Sequence, residues 1–162
     1  MPKPLLVLAY GNPSRGDDAL APLLLDTLQQ QLHHADIEFL TDFQLQIEHA
    51  LDLQNRELVL FLDASLVAEQ AYSFTELHAD KDKSYTTHAM SPTAVLEVYQ
   101  AISHQAPPPC FLIGIKAESF ELGESISVQA QANLLQATHF ALELLKCADV
   151  NFWRQQCTSL IE

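Results

Sequence analysis

The chain has 162 residues, 48% of them hydrophobic, enough for one domain with a proper core. Eight Lys and Arg stand against 21 Asp and Glu, a formal net charge of -13, which repels phosphate backbones and anionic lipid and so argues against nucleic-acid and membrane partners. No segment approaches the ~20 uninterrupted apolar residues of a membrane span, and the apolar N-terminal run is too short for a signal peptide. Cys110, Cys147 and Cys157 are odd in number and form no CxxC pattern, which fits a reducing cytoplasm.

Leu5-Leu6-Val7-Leu8-Ala9-Tyr10 reads as a buried strand that breaks into Gly11-Asn12-Pro13-Ser14-Arg15-Gly16. That loop is too poor in glycine to cradle a phosphate. It delivers two adjacent carboxylates, Asp17 and Asp18, to a helix predicted over roughly 17–33, with Pro22 early enough to be tolerated and His33 and His34 at its C-terminal end. Ile37–Thr41 is a short strand-like run, and the apolar residues between Leu45 and Leu53 suit a short helix. Leu58-Val59-Leu60-Phe61-Leu62 is continuously apolar, the mark of a strand buried on both faces, and Asp63 ends it.

Tyr72–Leu77 alternates like an edge strand, and the polar stretch 80–84 reads as a mobile loop. Ser91 as N-cap with Pro92 at the first helical position starts another helix. Pro107-Pro108-Pro109 precedes a last buried strand, Cys110–Ile115, and an amphipathic helix from about Ser127 to Lys146 closes the chain. Strands alternating with helices predict one α/β domain over residues 1–162. Its expected architecture is a three-layer αβα sandwich around a mostly parallel five-stranded twisted sheet.

In such a sheet the loops after the strands converge on one edge, where open α/β folds hold their active sites. Asp17, Asp18 and Asp63 fall there, and so does His88, just ahead of a helix start. Two carboxylates and an imidazole make a three-point site with open positions, and the mixed N/O set suits Ni, Zn, Co or Mn better than Ca or Mg. Each residue also has a plainer role: helix-dipole partner for Asp17 and Asp18, turn or cap for Asp63, solvated loop residue for His88. The remaining histidines, His49, His78, His104 and His139, have no metal-ligand spacing, and no nucleophile elbow or cysteine nucleophile is present.

Taken together, these pieces resemble the [NiFe]-hydrogenase maturation endopeptidases, which trim the C-terminal tail of the hydrogenase large-subunit precursor. The matching residues are Tyr10–Asp18, Leu62-Asp63-Ala64, Thr87-His88 and Leu112–Lys116, in the family's order over nearly the whole chain. The resemblance implies that Asp18, Asp63 and His88 are the catalytic and metal-contacting residues. It implies that the nickel they meet is carried by the substrate precursor, and that hydrolysis follows nickel insertion. Arg15 and Asp17 would orient Asp18 or grip the substrate. The chain departs from the family at Ala19 and Ala21, where relatives commonly have glycine. It departs again at Asp42–Glu48, which replaces a glycine-rich turn and is expected to shape the substrate cleft.

Two alternatives share part of this pattern. A Mg-dependent phosphoacceptor receiver would use Asp17/Asp18, Asp63 and Lys116, although its acidic pair would follow the strand directly and His88 would have no task. A nickel-binding accessory protein would share the triad without releasing a peptide.

Overall fold

A computed structural model describes residues 2–33, 35–79 and 90–158. His34, the polar loop 80–84 and the Thr87-His88 segment lie outside the described residues.

Five strands form one sheet: β1 (Leu5–Tyr10), β2 (Ile37–Asp42), β3 (Leu58–Ser65), β4 (Tyr72–Leu77) and β5 (Cys110–Lys116). Their order is β2-β1-β3-β5-β4. The first four in that order pair in parallel, and β4 runs antiparallel on the edge beside β5. The mostly parallel five-stranded sheet inferred from the sequence is therefore the one observed. All six residues of β1 are buried, which is what a central strand covered on both faces requires.

Helices cover both faces. On one side, α1 (Leu20–Gln31), α4 (Val128–Lys146) and α5 (Val150–Gln156) pack on Leu5, Val7 and Ala9 of β1 and on Leu60, Leu62, Phe111 and Ile113. On the other, α2 (His49–Asp52) and α3 (Pro92–Ser103) pack on Leu6, Leu8, Tyr10, Val59 and Phe61. This alternation along each strand separates the two cores. Ser91 caps α3 by accepting from the Ala94 N–H, and Ser127 caps α4 by accepting from the Ala130 N–H.

Three local features differ from the sequence reading. The helix expected over 17–33 is a single 3-10 turn at Gly16–Ala19 followed by α1, because Asp17 and Asp18 are held by groups outside the helix. Pro22 is the third residue of α1, where its missing N–H has no helical acceptor to serve, and α1 stops at Gln31, so His33 lies past it. Next, α5 follows the helix that was expected to close the chain. Its Trp153 is fully buried, with the indole N–H donating to the carbonyls of Leu144 and Cys147 at the end of α4. Finally, β3 continues through Asp63, Ala64 and Ser65, which pair with β5 after the pairing with β1 has ended at Leu62.

Candidate active site

In the order β2-β1-β3 the chain leaves β1 toward one side of the sheet and later returns to the other. The crevice at the C-terminal ends of β1 and β3 is thus a topological switch point, the usual ligand site of an open α/β sheet. Asp63 is the first residue of β3 beyond its pairing with β1, so its carboxylate stands in that crevice. Tyr10, the last residue of β1, lies on the same face of the sheet, and its hydroxyl donates to Asp63 Oδ2 at 3.0 Å.

Asp18 reaches the crevice from the 3-10 turn. Its Oδ2 accepts the backbone N–H of Asn12 at 2.7 Å, folding the loop back on itself. Gly11 makes that closure possible, since a Cβ there would lie 2.2 Å from the Asp18 carbonyl oxygen. Burial pushes the Asp18 carboxyl up, opposed by the Asn12 hydrogen bond and the Arg15 guanidinium. Asp63 is pushed further, to about 7, mainly by burial and also by the charge of Asp18; the Tyr10 hydrogen bond and the Ala64 amide oppose this. Tyr10, buried against both acids, is held well above the ordinary phenol range. The charge of Asp18 raises the proton affinity of Asp63, and a cation in the crevice would relieve that repulsion.

Asp17 does something else. It is 1% exposed and turns away from Asp18 into the loop that joins β5 to α4. Oδ2 accepts the N–H groups of Glu118 (2.7 Å) and Ser119 (3.3 Å) and the Ser127 hydroxyl (2.9 Å), while Oδ1 accepts the Ser127 N–H (2.7 Å). Burial works against its charge, but these hydrogen bonds outweigh it and hold the carboxyl below the usual range. Backbone bonds from Gly16, Asp17 and Gly123 lace the same two loops together. Gly16 has φ +55°, and a Cβ there would meet the Ser119 carbonyl at 2.8 Å. Asp17 is thus a structural clamp, turned away from Asp18 and onto the N-cap residue of α4.

A cleft of about 770 Å³ opens beside Asp18, lined by Asn12, Arg15, Asp42, Phe43, Gln44 and Gln46. The segment after β2 forms one of its walls. Asp42 Oδ1 accepts the Phe43 N–H at 2.7 Å, and Oδ2 lies 3.4 Å from His49 Nε2. The buried His49 imidazole in turn accepts the Gln46 N–H at Nδ1.

Of the sequence-predicted site residues, the structure brings Asp18 and Asp63 to one crevice, and His88 lies outside the described residues. Among the described residues no group of three or more His, Cys, Asp or Glu is arranged to hold a metal ion. Asp18 and Asp63 could supply oxygen ligands to a metal ion. The sequence marks Tyr10 only as part of a motif; its role depends on the strand register. Lys116 sends its ammonium to the Glu69 carbonyl, and with Asp17 withdrawn as well the acidic pair and lysine of a receiver are not assembled. An antiparallel β4 on the sheet edge also departs from the receiver's strand order. All three cysteines are free, and burial pushes the Cys110 thiol up, away from a nucleophile's range. Among the described residues no helix is long and apolar enough to cross a membrane.

No family model and no curated protein matches the sequence. Solved structures do match. The hydrogenase maturating endopeptidase HybD from E. coli superposes with a TM-score of 0.70 at 22% identity, covering 88% of this chain and 91% of that one. The [NiFe] hydrogenase maturation protease HycI from Thermococcus kodakarensis gives 0.68 at 21% identity, covering 88% and 92%. A hydrogenase 2 maturation peptidase from a Thaumarchaeota archaeon gives 0.65 at 25% identity, covering 89% and 99%. The chain has the fold of the [NiFe]-hydrogenase maturation proteases.

Proposed function

We propose that this protein is a cytoplasmic endopeptidase that removes the C-terminal extension of a [NiFe]-hydrogenase large-subunit precursor after nickel insertion. The observation that carries this reading is the convergence of Asp18 and Asp63 at the switch-point crevice of a fold shared with hydrogenase maturation proteases. In this reading the nickel is part of the substrate. Asp18, Asp63 and His88 dock on it as additional ligands, and the cleft bounded by Arg15, Phe43, Gln44 and Gln46 receives the peptide around the scissile bond.

The chemistry follows from what the crevice holds. Among the described residues it offers no activated serine or cysteine, so water is the nucleophile; the metal carried by the substrate would polarise the scissile carbonyl, and a carboxylate accepts the water's proton. Three protein ligands without a fourth hold free metal weakly. A precursor lacking nickel then has no anchor to offset the ordering of its tail, which makes metal loading a checkpoint.

The test is cleavage of the cognate precursor, with and without nickel installed, read by intact mass. Loss of a C-terminal peptide only from the nickel-loaded form is the expected result. Cleavage of both forms removes the checkpoint and keeps the peptidase, whereas an intact nickel-loaded precursor overturns the reading. His88→Ala is expected to abolish cleavage with little change in stability, and wild-type rates in that variant would remove His88 from the triad.

A further inference from the structure

Tyr10 is the one side chain among the described residues that donates a hydrogen bond to either acid of the crevice. Its position follows from register. Ala9 of β1 pairs with Leu62 of β3, so the next residues, Tyr10 and Asp63, stand side by side on adjacent strands. Alternation points both toward the face that holds Leu6, Leu8, Val59 and Phe61. The phenol ring is buried there and its hydroxyl emerges at the carboxylate.

Packing alone does not call for that hydroxyl, because a phenylalanine ring would fill the same space. The carboxylate does call for it. Beyond Leu62 the strand has lost its β1 partner, and the Asp63 side chain is free to turn about its own bond unless something fixes the plane of its oxygens. A side-chain donor at 3.0 Å on Oδ2 fixes it, beside the Ala64 amide.

We infer that Tyr10 is a positioning residue: its hydroxyl sets the plane of the Asp63 carboxylate toward the cation the substrate carries. The nature of that cation rests on the function proposed above; the Tyr10–Asp63 contact does not. Hydrogen-bond partners of metal-contacting carboxylates commonly set affinity or rate by about 10- to 100-fold.

The experiment compares wild type with Tyr10→Phe in three measurements. NMR follows the Asp63 and Asp18 side-chain carboxyl resonances of the metal-free protein. Ni²⁺ alone, added up to millimolar concentration, is titrated by paramagnetic broadening at the crevice. Urea unfolding controls for stability. The expected result is a displaced Asp63 resonance with Asp18 unmoved, Ni²⁺ affinity reduced about tenfold or more, and an unfolding midpoint close to wild type. An unmoved Asp63 resonance, or equal Ni²⁺ affinity in the two proteins, overturns the positioning role and leaves the proposed function intact. A wild type that gives no broadening at the crevice overturns the role of Tyr10 toward the cation, while recognition of substrate-borne nickel stands or falls with the cleavage test above.

Discussion

Replacing Asp17 by Asn swaps one oxygen for an NH₂ group and tests the clamp directly. The native carboxylate accepts on both oxygens, at 2.7, 2.7 and 2.9 Å from its three nearest donors. An asparagine keeps one acceptor, so its NH₂ must face an N–H that has nowhere else to donate. Three charge-assisted bonds at about 1.5 kcal/mol each give roughly 4.5 kcal/mol for Asp17→Ala. Asp17→Asn should lose about 3 kcal/mol of it, a fall of roughly 10 °C in melting temperature for a chain this size. Urea unfolding at neutral pH measures this, with Asp18→Asn as comparator. Asp18 accepts one backbone N–H, so its variant should lose less than about 1 kcal/mol. The pH dependence has a definite sign. Because the folded carboxyl of Asp17 is lowered, its contribution is present above the unfolded aspartate value and is lost as pH falls through the folded one. The gap between wild type and Asp17→Asn should therefore narrow in acid. An Asp17→Asn protein as stable as Asp18→Asn, or a gap that does not change with pH, refutes the clamp.

Asp63 should act in the opposite sense. Its folded carboxyl sits at about 7, above the unfolded value, so folding favours the protonated form and stability falls as pH rises between the two. Asp63→Asn should then unfold later than wild type at pH ~8, by about 1–2 kcal/mol in urea, while processing is lost; equal stability would mean the acid is not strained. Gly11→Ala drives a methyl group into the Asp18 carbonyl and should cut processing at least tenfold while costing about 2 kcal/mol, read by precursor cleavage and thermal melting. Trp153→Phe leaves the Leu144 and Cys147 carbonyls without their indole donor and should cost about 2 kcal/mol in urea, with processing unchanged at temperatures where the protein stays folded.

Much of this architecture was legible because burial on both faces leaves a strong mark. Leu58–Leu62 and Cys110–Ile115 are continuous apolar runs, and the Ser91-Pro92 pair starts α3 where the cap and the proline say it should. Helix α5 escaped notice for a physical reason. It has seven residues, four of them polar, and a single buried anchor, so it has no periodicity to read. Its one local signal was Asp149, which caps it by accepting from the Phe152 N–H. At the site, strand ends and loop position mark Asp17, Asp18 and Asp63 alike, and only the family resemblance singles out Asp18. Adjacent carboxylates on a 3-10 turn diverge, however, and which one faces the crevice depends on a loop about a hundred residues further along. Tyr10 was hidden likewise, because its partnership with Asp63 exists only once two strands are in register.

Asp17 and Asp18 are neighbours in sequence that serve different masters, and this bears on how loss-of-function data from such a protein should be sorted. A mutational screen that scores only processed substrate would place both acids in one class, since a protein that cannot close its loops and a protein that cannot do chemistry look alike in that readout. Scored again for abundance in the cell, the two separate. Variants at position 17 should disappear from the soluble pool, while variants at position 18 should persist as intact protein that does no work.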